Sequence, residues 1–306
     1  MATRAFKQVD VFTATPYSGN PLAVVLDASG LDGAAMQRFA AWTNLSETTF
    51  IQPPQDAAAD YRVRIFTPAG ELPFAGHPTL GSCHSWLEAG GQAKDARFVV
   101  QECAAGLVKI RYEAGSTRLA FAAPALKSTL PDAALLTQVA EALGVQERQI
   151  TGARLLNNGP VWLGLLLDSP ETVLQLLPNH LALAKLGVKV GVAGIYPADE
   201  EPPLIARANR EARAFGQTAA VDEVATRLEV RGFAVASGII EDPVTGSLNA
   251  SLAQWLIAEG LLPERYLASQ GVCMGRAGLV HLERDPQGQV WVGGDSVTCV
   301  SGSVRL

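Results

Sequence analysis

One succession of segments runs through the sequence twice, and this limits the fold more than any single stretch does. Asn20-Pro21-Leu22-Ala23-Val24-Val25-Leu26-Asp27, followed by a helical pattern, is echoed by Gly159-Pro160-Val161-Trp162-Leu163-Gly164-Leu165-Leu166-Leu167-Asp168, also followed by a helical pattern. Further on, His77-Pro78-Thr79-Leu80-Gly81-Ser82 leads to Trp86-Leu87-Glu88-Ala89-Gly90, and Thr245-Gly246-Ser247-Leu248-Asn249 leads to Trp255-Leu256-Ile257-Ala258-Glu259-Gly260. Aligning Trp86 with Trp255 sets the two glycine-containing loops at the same distance before their helices. Matched pieces in matched order describe a duplicated α/β domain. Two such domains about a pseudo-twofold axis would bring equivalent loops together across one cleft. Each loop immediately precedes a helix, so it offers unpaired N–H groups and the positive end of a helix dipole, which hold anions. Such a cleft would bind a small acid and stabilise an enolate-like charge made from it.

The size agrees with two domains. A chain of 306 residues exceeds the length at which single cores stop growing, and 48% hydrophobic against 18% charged residues leaves ample material for burial. A net charge of −6 without any Lys/Arg-rich run argues against nucleic acid as partner. The opening Met1–Asp10 segment lacks the apolar core of a signal peptide, and Val161–Leu167 falls far short of the ~20 residues that span a bilayer. A cytoplasmic location away from membranes is expected. Cys83, Cys103, Cys273 and Cys299 form no Cys-x-x-Cys pair, and His77, His84, His180 and His281 lack ligand spacing. Buried free thiols, no disulfide framework and no metal site are expected.

Alternation and bounding turns predict strands at Ala5–Val11, Ala23–Leu26, Thr48–Gln52, Tyr61–Thr67 and Phe98–Glu102, then Val161–Leu167 and Val188–Tyr196, and finally Leu279–Glu283, Val290–Gly293 and Val297–Val304. Helices are predicted over Asp32–Trp42, Thr79–Glu88, Asp132–Leu143 and Thr172–Leu177, with a turn or exposed loop at 199–203 and, over Ala219–Arg227, either a weak helix or more of that surface region. The Gly187–Gly194 run reads as a strand rather than a dinucleotide loop, because no helix follows it.

Three pieces hold candidate chemistry: Phe74-Ala75-Gly76-His77-Pro78-Thr79, Glu241-Asp242-Pro243-Val244-Thr245-Gly246-Ser247, and Asn44-Leu45-Ser46-Glu47-Thr48-Thr49-Phe50. In the last, a glutamate enters an apolar strand, where a carboxylate is costly unless paired or used. Read alone, Glu47 fits an exposed or salt-bridged strand end better than a catalytic acid. Together with Val9-Asp10-Val11-Phe12-Thr13 and Gly19-Asn20-Pro21-Leu22-Ala23-Val24, these motifs resemble the PhzF-like phenazine-biosynthesis isomerase family, in the family's order from residue 9 to about residue 260.

The resemblance implies an α+β, diaminopimelate-epimerase-like fold: two pseudo-symmetric domains, each a mostly antiparallel sheet wrapped around a central helix. The boundaries expected are 1–125, completed by a C-terminal strand at about 290–306, and 126–289, with the active site in the cleft between them. It further implies a cofactor-independent isomerase, dimeric by analogy, acting on a small carboxylate-bearing, dihydro-hydroxyanthranilate-like metabolite. Glu47 matches the catalytic glutamate, and Ser46, Gly76, His77, Asp242, Gly246 and Ser247 match residues that contact substrate. Racemases of the same fold use one cysteine in each loop; Ala75 and Pro243 stand at those places here. Glu47, His77 and Asp242 remain as the titratable groups, with Ser46, Gly76, Gly246 and Ser247 as the binding set. Burial would raise the Glu47 pKa toward working pH, suiting a group that is both acid and base. An epimerase using Glu47 with Asp242 or His77 stays open, as does a binding protein that keeps the cleft without catalysis. Ser247, His77 and Asp242 do not read as a hydrolase triad, since the Gly-x-Ser-x-Gly elbow is missing.

Overall fold

The computed structural model describes residues 2–112, 118–197 and 224–306. The chain divides into two compact units. The first contains Met1–Pro124, Val244–Ser247 and Trp291–Leu306; the second contains Ala125–Pro243 and Leu248–Val290.

In the first unit, β1 (Thr3–Val11) pairs antiparallel with β2 (Asn20–Val25), which runs parallel to β3 (Thr48–Gln52). Next come β4 (Tyr61–Phe66), antiparallel to β3, and β6 (Phe98–Cys103), parallel to β4, while the short β5 (Glu71–Leu72) hangs on β4. Strands β7 (Gly106–Tyr112) and β8 (Arg118–Ala122) follow antiparallel. The last strand, numbered β17 (Val290–Arg305), pairs with β8 through Trp291–Asp295 and with β1 through Ser296–Arg305. Eight strands therefore close into a ring, which leaves no free sheet edge in it.

Inside the ring lies α2 (Gly76–Glu88), touching β1, β2, β3, β6 and β8. All residues from Gly76 to Ser85 are buried, as a helix must be when sheet surrounds it. Outside, α1 (Gly33–Thr43) packs Met36 and Ala40 on Val25, Phe50 and Phe66. Its start is set by Asp32, whose side chain accepts from the Ala35 N–H at 2.7 Å, and its end by Asn44 in the left-handed conformation.

The second unit repeats this succession. β9 (Lys127–Thr129), β10 (Ile150–Asn157) and β11 (Val161–Leu167) pair antiparallel, and β12 (Lys189–Ile195) runs parallel to β11. Then β13 (Thr226–Ala234) is antiparallel, β15 (Arg265–Gln270) parallel, and β16 (Gly278–Arg284) antiparallel, with short β14 (Ile239–Asp242) on β13. Pair for pair, the directions match those from β17 through β1 to β7. The central helix, α6 (Gly246–Ala258), seats Leu248 against Gly191, where any Cβ would lie 2.2 Å from Leu248 Cδ1. On the opposite face, α3 (Ala133–Leu143), α4 (Pro170–Gln175) and α5 (His180–Leu186) cover Leu163, Leu165, Val190, Val192 and Phe233.

Several sequence-based expectations are corrected. The weak helix over Ala219–Arg227 does not extend to its C-terminal end, because Thr226 and Arg227 begin β13; residues 219–223, and the loop expected at 199–203, lie outside the described residues. Val290–Gly293 and Val297–Val304 are one strand, not two. Trp86 stands ten residues past Gly76, but Trp255 stands nine past Gly246, so the helices align by their first residues rather than by their tryptophans. Cys83 and Cys103 are buried free thiols, whereas Cys273 is exposed and Cys299 half-buried. No helix among the described residues is long and apolar enough to cross a membrane.

Candidate active site

Glu47 is placed by two local decisions of the backbone. Helix α1 stops at Thr43 with Asn44 left-handed, and β3 starts at Thr48, so Ser46 and Glu47 occupy a tight link whose last side chain turns inward. Thr43 and Thr48 tie the two ends of the link together through their hydroxyls, 2.9 Å apart. The Glu47 side chain is 11% exposed and that of His77 6%, and Glu47 Oε2 lies 3.3 Å from His77 Nε2. Burial pushes the His77 pKa down to about 3. Near neutral pH the ring is therefore uncharged and has one N–H to donate and one nitrogen to accept. Among the described residues, His77 Nε2 and the buried Ser46 Oγ have no hydrogen-bond partner.

His77 is the second residue of α2. The helix begins on Ala75, which has no side-chain acceptor for the first-turn N–H groups, and Pro78 contributes no N–H at all. The amides of Gly76 and His77 thus form a bare helix N-terminus beside the Glu47–His77 pair. Gly76 is required by packing: a Cβ there would sit 2.8 Å from the Phe121 ring and 3.1 Å from Gly246 Cα. The reciprocal Cβ on Gly246 would sit 3.1 Å from Gly76 Cα and 3.4 Å from the His77 nitrogen. Backbone meets backbone here, and a side chain at either position would force a neighbour to give way.

The sequence-predicted residues fall as follows. Ser46, Glu47, Gly76, His77, Gly246 and Ser247 all belong to the first unit, the last two through the Val244–Ser247 segment that opens α6. Asp242 ends β14 in the second unit, where its backbone carbonyl accepts from Gln270 Nε2 at 3.0 Å. Among the described residues, no group of three or more His, Cys, Asp or Glu is arranged to hold a metal ion.

Sequence reasoning missed what anchors these turns. Buried Asn20 donates from Nδ2 to the Val244 carbonyl at 2.8 Å, fixing the approach to Gly246. Asp10 in turn accepts from the Gly19 N–H at 2.9 Å and shapes the turn before Asn20. Both residues stood within recognised motifs, but nothing local indicated that Asn20 would reach a carbonyl 224 positions away.

Comparison with known proteins agrees with this architecture. The sequence matches the family described as phenazine biosynthesis-like protein (PhzC-PhzF) over residues 9–302. Antisense-enhancing sequence 1 of Schizosaccharomyces pombe is 33% identical, covering 99% of each chain. Trans-2,3-dihydro-3-hydroxyanthranilate isomerase of Pseudomonas aeruginosa is 31% identical, covering 97% of this chain and 98% of that one. A crystal structure of a PhzF-family phenazine biosynthesis protein from Bacillus anthracis superposes with a TM-score of 0.79 at 22% identity over the whole of both chains. The chain belongs to the phenazine biosynthesis-like (PhzC-PhzF) family. It has that family's α+β fold and is an enzyme of the isomerase class.

Proposed function

We propose that the protein shifts a proton between carbons of a small, unsaturated, hydroxylated carboxylic acid of the dihydro-hydroxyanthranilate kind, with Glu47 as the group that carries it. The observation that carries this reading is the buried Glu47–His77 pair, 3.3 Å apart, beside uncapped helix amides. The amides of Gly76 and His77, with Ser247, hold the substrate carboxylate, and the helix dipole favours that charge. Glu47 removes a proton from a carbon next to a π-system. The electron pair moves through the double bond, and the same carboxyl group returns the proton at the far end, so no atom is gained or lost. His77, neutral through burial, donates a hydrogen bond to the substrate's polar substituent without a competing positive charge. Asp242 and Ser46 hold further polar substituents. A positioned acid–base group of this kind supplies about 10²–10⁴ in rate.

The test uses trans-2,3-dihydro-3-hydroxyanthranilate in D₂O, followed by NMR. The wild-type protein should place deuterium on substrate carbon, while Glu47→Gln should bind the acid and leave its carbon-bound protons in place. Normal turnover by Glu47→Gln would remove Glu47 from the role. Binding by the wild type without exchange would make the protein a non-catalytic binder.

A further inference from the structure

Each unit buries one strand glutamine against its central helix. In the second unit, Gln270 at the end of β15 is fully buried; its Oε1 accepts from Asn249 Nδ2 at 2.8 Å and its Nε2 donates to the Asp242 carbonyl at 3.0 Å. In the first unit, Gln101 on β6 is equally buried; its Oε1 accepts from the Tyr61 hydroxyl at 2.9 Å and its Nε2 donates to Thr79 Oγ1 at 3.0 Å. Thr79 in turn donates to the Ala75 carbonyl at 2.9 Å, at the residue before the first turn of α2. Thr79 and Asn249 are both the fourth residue of their helices, and both glutamines come from the strand that follows the helix.

A carboxamide without contact to solvent is costly unless both of its ends are paired, and an apolar side chain would fill the same space without that demand. The place of the pairings is therefore informative. Both glutamines end on the backbone that leads into a helix N-terminus: Gln270 directly at Asp242, Gln101 through Thr79 at Ala75. Their rigid two-ended grip fixes where the turn stands relative to the helix.

We propose that Gln270 and Gln101 are a repeat-related pair of positioning residues. Gln270 would set the Asp242–Ser247 turn, and Gln101 the Ala75–His77 turn. The assignment rests on the proton-shift reading above, since it gives these turns their task. It adds two residues that touch neither substrate nor reacting atoms.

Gln270→Met keeps length and shape but can make neither hydrogen bond. With trans-2,3-dihydro-3-hydroxyanthranilate as probe, kcat/KM per folded molecule should fall about 10- to 100-fold, as for an Å-scale misplacement. Amide hydrogen exchange at residues 242–247 should accelerate while that of β10 to β12 stays unchanged. Gln270→Glu supplies the second variant. Protonated, its carboxyl group can donate to the Asp242 carbonyl and accept from Asn249; ionised, it can only accept. Its rate should therefore recover toward wild type as pH is lowered, a rise the wild type lacks. A Gln270→Met protein with a lower Tm but wild-type kcat/KM and unchanged exchange at 242–247 would overturn the positioning role and leave the proton-shift reading standing. A wild-type protein that neither converts nor exchanges the probe would overturn that reading, and the assignment with it.

Discussion

The two units share one topology but not one chemistry. Where β2 pairs with β3, Ala23 lies opposite Thr48; in the repeat, Trp162 of β11 lies opposite Lys189 of β12. The residue before each of those positions is Glu47 in the first unit and Val188 in the second, and Val188 packs against the outer core. The second helical residue is His77 in α2 and Ser247 in α6. The first unit thus joins a buried acid to a neutral imidazole, and the corresponding places of the second hold a valine and a serine. Of the two central helices, α2 alone has the Glu47–His77 pair at its start. This asymmetry fits a single proton carrier better than two equivalent groups working from opposite faces.

The asymmetry can be broken most forcefully at Glu47. Glu47→Gln should lower kcat by about 10²–10⁴ with little change in Tm. Val188→Ala, at the equivalent place, should lower stability by about 1–2 kcal/mol and leave kcat per folded molecule unchanged. Steady-state kinetics and urea unfolding of both variants decide the comparison; a large kcat loss in Val188→Ala would abolish it.

The second test is the acid limb of stability. The unfolded chain takes up a proton at His77 near 6.5, and the folded chain refuses it until about 3. Because the folded pKa is depressed, this histidine costs nothing above pH 6.5, and stability falls as pH drops from there toward 3. One proton gives a slope of about 1.4 kcal/mol per pH unit. His77→Gln should remove that much of the slope in pH-dependent urea unfolding, whereas Ser247→Ala, at the matching position, should remove none.

A smaller effect is expected at the glycine contact. Gly76→Ala must displace the Phe121 ring and the Gly246 backbone, so it should cost about 1–3 kcal/mol and lower activity; Gly246→Ala should do likewise. Equal losses in thermal unfolding would show the contact to be reciprocal. Least of all, Tyr61→Phe removes one buried hydrogen bond to Gln101 and should cost about 1 kcal/mol, measured by the same unfolding.

Much of this was legible in the sequence wherever the signal was local. The doubled Pro-apolar strand, the glycine loops and the helix starts at Asp32 and Asp132 follow from short-range chemistry, and β2, β11, α1 and α3 stand where it puts them. β13 was not legible, because Arg227, Glu229 and Arg231 alternate with Leu228 and Val230 as on a solvent-facing strand or a weak helix. In the fold Glu229 and Arg231 are buried: Arg231 pairs with Glu241 through two hydrogen bonds and donates to the Val173 and Leu176 carbonyls at the end of α4. The two carbonyls lie 58 and 55 positions back along the chain. Val290–Gly293 and Val297–Val304 read as two strands, but Gly293 lies within one strand, where a Cβ would come within 2.8 Å of the Leu119 carbonyl oxygen. For the site, the motifs marked Glu47 and His77, while Asn20, Gln101 and Gln270 act through partners that no local pattern could reveal.

The ring around α2 has a consequence for the order of events during synthesis. Its eighth strand is supplied by residues 291–305, so β1 and β8 have no neighbour to join them until those residues have been made. The segments already made must wait with two unpaired borders, while the second unit takes its strands from residues 125–243 and 248–290. Loop closure across such a span is slow, and open borders invite misassociation meanwhile. The unit with the titratable pair is thus the one whose maturation depends on a strand made after every strand of the other.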